Sequence, residues 1–538
     1  MNPLLQKTPP SEDAQEPEDR HSARRLPTSD DYAKASRRRA GKFLLGGAVL
    51  ASVAAGAFVG QGKDNILLPL TLLAAFLIPI LLWRFPRLVF YFVLAAACLF
   101  ETALLEGTGS GYSDSITDRI PIFWNFNTIL QQYGHMDFKA IPLNLLEMLL
   151  LIAGLCAFVR SAYTKTASFH AGALIWPISV YMAFVALAWL YGMATGGDFK
   201  ISLQEIRSQF YFGLAYLMAF NMIRDRTQLQ KALWIIIICV GFKGVLLTFR
   251  RYVTLHGLPL PDQGVGAHEE AFFFDAFVIL LLSFSVCGTF PKMRWTMLGL
   301  LPFVILGSLA CNRRAGTAAF IIILPVLALA AYQALPSRRR MITVLSVVAM
   351  IAFMGYYFAF KNSSSILAQP ARAIDSQFHP DPRDASSNAY RDAENADLMA
   401  TIRSAPLGYG YGKKMLHAVP IADISNEYEW WDIMTHNQVL WVWMRVGALG
   451  FLAFWMMISA ILICAARTIQ NERIQVEMKS VAISGMLIVG ALMIFGLLDL
   501  QFSNFRDMLF TGLWCGIIAG LPGLAALPAR SGRTGAES

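Results

Sequence analysis

Charge is scarce in this chain. Of 538 residues, 15% are Asp, Glu, Lys or Arg and 56% are hydrophobic, whereas soluble proteins average about 25% charged residues. That deficit excludes an ordinary water-surrounded globule and makes membrane spans the first reading. Metal-ligand spacing is also missing. The seven cysteines, Cys98, Cys156, Cys239, Cys287, Cys311, Cys464 and Cys515, fall mostly inside apolar runs and read as small packing residues. There is no Walker phosphate loop, no dinucleotide glycine loop and no internal repeat. The net charge of +9 would suit nucleic acid, but basic residues gather on the cytoplasmic loops of membrane proteins. No nucleic-acid partner is expected.

Long apolar runs are what the chain does have. Residues 1–41 are polar, with Pro9, Pro10, Pro17 and Pro27, and are expected to form a disordered cytoplasmic tail ending near Arg37-Arg38-Arg39. The run that follows is longer than the apolar core of a signal peptide and reads as a retained first span. Runs of bilayer-crossing length recur near 42–61, 66–83, 88–105, 142–160, 171–193, 208–223, 230–249, 269–289, 294–310, 315–334, 341–360, 436–466, 480–500 and 506–527. They predict an all-α polytopic bundle of about fourteen helices: a transmembrane bundle over 42–360, a large, partly helical outer loop over 361–435, further spans over 436–527 and a tail over 528–538.

Lys and Arg set the orientation. Arg84 with Arg87, Arg160 with Lys165, Arg224 with Lys231, Lys292 with Arg294, Arg338-Arg339-Arg340 and Arg467 with Lys479 all fall on alternate connections. These are expected inside, with both termini. The long segments 106–141 and 361–435 then lie outside, and loops of that length usually carry function.

Arginines on the outer side break the pattern: Arg207, Arg250, Arg251, Arg313, Arg314, Arg391 and Arg506. Singly each has a plain reading, since Arg207 can pair with Glu205, Arg506 with Asp507, and Arg250 and Arg251 can reach headgroups. Together they suggest a polyanion site, because a guanidinium fork grips two phosphate oxygens at once. Deeper charges, Glu101, Glu147, Lys243, Asp275 and Arg445, either pair between helices, for example Lys243 with Glu147 or Asp275, or line the path of a transporter.

Residues 310–460 resemble the O-antigen ligase and polymerase family of bacterial envelope glycosyltransferases. Three pieces carry the resemblance: CNRRAGTAAFIII; Arg391 followed at Ala405 by APLGYGYG; and His436-Asn437 leading into Leu440, Gly447 and Gly450. The chain has Asn312 where the family often has Ser, and Arg445 where it often has Glu.

The resemblance implies a metal-independent, cofactor-free transferase. Its donor would be a glycan on undecaprenyl diphosphate and its acceptor another glycan or a lipid A core. A polymerase is favoured, with a chain-length regulator as a possible partner. Arg314 and Arg391 would clamp the diphosphate, with Arg313 the alternative in the first motif, and His436 would act as base. Arg207, Asn437, Tyr409 and Tyr411 are expected to assist in binding. One of Asp423, Glu427, Glu429 and Asp432 is expected to orient the imidazole. Gly408, Gly410 and Gly412 read as a turn. The competing expectation is a transporter or flippase of an amphiphilic anion.

Overall fold

The computed structural model describes residues 77–101, 117, 122–129, 143–164, 170–256, 264–425 and 430–526. The expected tails, the run at 42–61, most of that at 66–83 and most of segment 106–141 lie outside the described residues. Every long element is a helix, and the described residues contain no strand beyond one isolated bridge, Asn125 to Asn144. The helices are α1 (Arg87–Leu99), α2 (Leu145–Thr164), α3 (Ile175–Ala194), α4 (Phe199–Met222), α5 (Arg226–Phe249), α6 (Glu270–Cys287), α7 (Pro291–Cys311), α8 (Arg314–Ala334), α9 (Arg339–Phe360), α10 (Gln369–Asp375), α11 (Pro382–Ser404), α12 (Gln438–Gln470), α13 (Val476–Gly496) and α14 (Phe505–Ala526).

Among the described residues nine helices are long and apolar enough to cross a membrane, or ten if the short helix Leu77–Arg84 and α1 count as one bent span. The count of fourteen is not confirmed, since the runs at 42–61 and 66–83 lie wholly or mostly outside the described residues. The run at 208–223 belongs to α4, which is not among the nine; it also carries Lys200, Glu205 and Arg207 and buries the last two inside the bundle.

Helix boundaries follow local chemistry. The side chains of Asp198, Asp225, Asp381 and Asn437 each accept a backbone N–H in the first turn of α4, α5, α11 and α12. Gly288 and Asn312, both in the left-handed region, end α6 and α7. Glycines let backbones approach. A side chain at Gly512 or Gly516 of α14 would strike the Phe212 or Tyr216 carbonyl of α4, the four-residue spacing that membrane helices use for close crossing.

The connections segregate to two ends. At one, Arg338 Nη1 donates to the Val286 carbonyl (3.0 Å), Thr289 and Ser480 share a hydrogen bond (2.9 Å), and Gln470 donates to Gln333 (2.9 Å). The turns after α6, α8 and α12 thus meet. At the other end lie the starts of α6, α8, α12 and α14 and the described residues of the segment between α9 and α12.

Buried charges pair across helices, with partners other than those expected. Arg207 meets Glu147 (3.1 Å), not Glu205, and Arg506 meets Glu269 (3.0 Å) and Glu270 (2.5 Å), not Asp507. Residues one or two apart on a helix face different directions. Lys243 pairs with Glu101 and with Glu270 (3.3 Å), not with Glu147 or Asp275.

Arg445 and Gly447 explain the glycine-rich segment. At Gly447 (φ 70°, ψ −178°) α12 breaks, freeing backbone groups that PLGYG satisfies. Tyr409 N–H donates to Met444 O (2.8 Å), Gly410 N–H to Arg445 O (3.2 Å) and Ala448 N–H to Pro406 O (2.9 Å). The Arg445 side chain pairs with Glu205 (2.7 Å) and donates to the carbonyls of Gly410 (2.9 Å), Lys413 (2.8 Å) and Ile433 (2.9 Å). Gly408, Gly410 and Gly412 all have positive φ.

Candidate functional site

Two adjoining cavities open where the segment 361–437 folds over the starts of α8 and α12. One, of about 330 Å³, is lined by Arg314, Asn388, Arg391, Glu394, His436 and Asn437 among others. The second, of about 490 Å³, shares Arg314, Ala315 and Arg391 and adds Arg313, Arg372, Asp384 and Asp499. Residues far apart in sequence therefore meet at one place: Arg314 opens α8, Arg391 lies mid-way along α11, and His436 stands just before the cap of α12.

The imidazole of His436 is held on one edge. Its Nδ1 lies 3.2 Å from both carboxylate oxygens of Glu394, and its backbone N–H donates to Glu394 Oε2 (3.0 Å). A carboxylate only accepts, so Nδ1 carries the proton and donates it, leaving Nε2 as the acceptor. The Glu394 side chain is 1% exposed and that of His436 26%. The ring of Tyr390 stands edge-on to the imidazole, centroids 5.9 Å apart. Burial raises the Tyr390 phenol above its ordinary pKa, with the Glu394 carboxylate adding to the shift, so it stays neutral.

Arg391 and Glu394, three residues apart on α11, face the same way. Arg391 makes no hydrogen bond or ion pair among the described residues and is half-buried. Arg314 is steadied: its Nη1 meets Asp384 Oδ2 at 2.9 Å and donates to Ser376 Oγ at 3.3 Å. Arg313 precedes α8, and its burial lowers the guanidinium pKa while Asp499 opposes the shift. For Asp499 burial pushes the carboxyl up. The neighbouring His268, whose Nδ1 lies 3.8 Å from Asp499 Oδ1, and the Arg313 guanidinium outweigh this and hold it below the usual carboxylate range. Asp499 thus acts as a fixed anion against a rim of cations.

The other candidate residues stand apart or have local work. Arg207 is 4% exposed, donates to Asn125 (3.1 Å) and Gln204 (2.8 Å), and lines neither cavity. Tyr411 is fully buried against Trp441, edge-to-face at 5.9 Å, and so has no open face for a sugar. Tyr409 carries the Lys413 ammonium over its ring at 5.2 Å and also lies outside both cavities. Asn437 lines the first cavity while its side chain accepts from Leu440 N–H (3.2 Å) as the α12 cap. Trp430 is packed with Ile433 and Met434, and Trp431 stacks on His417 at 5.2 Å.

The acid on the imidazole is Glu394, not one of the four acids before His436. The signal was present in the three-residue spacing from Arg391. Asp384 and Asp499 were also missed; no local pattern marks either. Among the described residues no group of three or more His, Cys, Asp and Glu is arranged to hold a metal.

Residues 298–455 match the family model described as O-antigen ligase. That stretch holds Arg313, Arg314, Arg391, Glu394 and His436, and leaves Arg207 and Asp499 outside. No curated protein matches the chain.

Proposed function

We propose that this member of the O-antigen ligase family is a membrane glycosyltransferase that moves a glycan from a lipid-linked diphosphate, of the undecaprenyl type, to a sugar hydroxyl of an acceptor glycan at the periplasmic surface. The observation that carries the reading is the convergence of Arg314, Arg391 and the Glu394-held His436 on one pocket.

Chemistry follows from that geometry. Arg391, without a partner among the described residues, offers its fork to diphosphate oxygens, and Arg314, steadied by Asp384, presents the second cation. The acceptor hydroxyl gives its proton to Nε2 of His436 as its oxygen bonds to the sugar anomeric carbon. The anomeric C–O bond breaks, and its electrons leave on the diphosphate, where the arginines stabilise the developing charge. Glu394 holds the ring in the accepting tautomer and favours the imidazolium that forms.

The periplasmic placement rests on the opposite end, where Arg338, Arg339, Arg340, Lys292, Arg294 and Arg473 cluster on short connections, as cytoplasmic loops do. Acceptor choice favours a polymerase over a ligase, since nothing in the outer segment advertises a lipid A partner. A transporter reading is weakened because Lys243, Glu101, Glu270 and Arg506 are mutually paired.

The test is the length of surface polysaccharide in cells carrying Arg391→Ala or His436→Ala. Each should shorten or abolish polymer, with transfer rates down on the order of 10²–10³ for the arginine. Normal polymer from well-expressed variants overturns the proposal.

A further inference from the structure

At the end of the bundle remote from Arg391, the last turns of α8 and α12 and the first turns of α9 and α13 enclose a cleft of about 600 Å³, lined by Tyr332, Gln333, Arg339, Gln470, Glu472 and Lys479 among others. Lys479 is the informative residue. It is 6% exposed and makes no side-chain hydrogen bond or ion pair among the described residues. The stem of Lys479 is packed between helices, and its ammonium borders an open volume large enough to admit an anion.

Arg339 stands at the same cleft. Its Nε donates to the Tyr332 carbonyl (3.3 Å), and its guanidinium lies over the Tyr332 ring at 4.9 Å. Those contacts fix the plane and leave the terminal nitrogens without a partner among the described residues. Gln333 and Gln470 are joined across the cleft wall (2.9 Å). Glu472 is the one acid in the lining, and it lies exposed at the rim.

The cleft also has an apolar exit. Ile322, Val326, Leu329 and Tyr332 are all exposed on α8, at offsets of four and three residues that form one stripe. Leu329 and Tyr332 belong to both stripe and cleft. Free phosphate has no use for such a stripe, but a lipid tail does.

We propose that this cleft binds the phosphate of an anionic phospholipid, with Lys479 and Arg339 on its oxygens and an acyl chain lying along Leu329, Val326 and Ile322. Basic pockets between helices at the cytoplasmic side of a membrane recognise such headgroups. The site lies at the end opposite the transfer pocket and stands whether or not the transferase reading does.

The experiment uses the full-length protein in phosphatidylcholine nanodiscs, titrated with phosphatidylglycerol and read by native mass spectrometry and by melting temperature. Wild type should retain the anionic lipid and melt higher with it. Lys479→Gln and Arg339→Gln should each weaken retention by about fivefold. Arg339→Gln alters an exposed side chain and keeps the test valid if the buried substitution misfolds. Inorganic phosphate should leave the melting temperature unchanged; an equal rise with phosphate would assign the cleft to a soluble anion and overturn the lipid. Equal lipid retention by wild type and both variants would overturn the site.

Discussion

At the scale of single residues, the organising contact is His436 on Glu394. Glu394→Ala leaves the imidazole free to turn and to carry its proton on either nitrogen. Turnover should fall on the order of 10²-fold with little change in donor KM, whereas Arg391→Ala should raise donor KM as well as slow transfer. Steady-state kinetics with purified lipid-linked donor separate the two, and an unchanged rate for Glu394→Ala would remove the base assignment. The residue types and order of His436, Arg391 and Arg314 mark them as candidates, and the structure gathers them at one cavity. Glu394 escapes a pattern local to His436 because it stands 42 residues before it and meets the ring only through the packing of α11 against the start of α12. Adjacency in sequence suggests Arg207 with Glu205, and Arg506 with Asp507, as pairs. Helical geometry forbids both and sends each arginine to a carboxylate on another element.

At the scale of elements, the PLGYG segment and the broken helix α12 are one device. Neither is stable alone: the break at Gly447 exposes backbone groups inside a membrane protein, and the glycine segment has no ladder of its own. A Cβ at Gly410 would sit 2.7 Å from the Gly192 Cα, at a residue with φ 84°. Gly410→Ala should therefore destabilise the fold by at least about 2 kcal/mol, from strain and overpacking together. Gly154→Ala, inside α2 where a Cβ meets nothing within 4 Å, should leave stability unchanged or raise it slightly. Thermal unfolding in detergent compares them, and equal melting temperatures would contradict the account. The turn was readable from its glycines. That it docks on α12 was not, since the partner groups are main-chain carbonyls that no side-chain pattern announces. Arg445, a departure from the family pattern, proves to be the pin through this junction rather than a buried site charge.

At the scale of the whole molecule, the all-helical bundle was legible in the hydrophobic runs, whereas the number of spans was less so. Helix α4 shows why: its buried Glu205 and Arg207 lower its apolarity although it lies deep in the bundle, so hydropathy alone misjudges it. The converse case is α9. Of its 22 residues only Ile342 is buried, so few protein contacts restrain it and a mismatch between its length and the bilayer can be met by tilting. Tyr357 near its end donates to Asp375 (2.8 Å), and the neighbouring Ser376 accepts from Arg314. These two hydrogen bonds connect the end of α9 to a guanidinium in the pocket, so in the proposed transferase membrane thickness would be an input to the reaction. Reconstituted into phosphatidylcholines of graded chain length, the protein should show a rate optimum at one thickness, and Tyr357→Phe should flatten it. Such an enzyme would sense the elastic state of its envelope while building the coat that lies outside it.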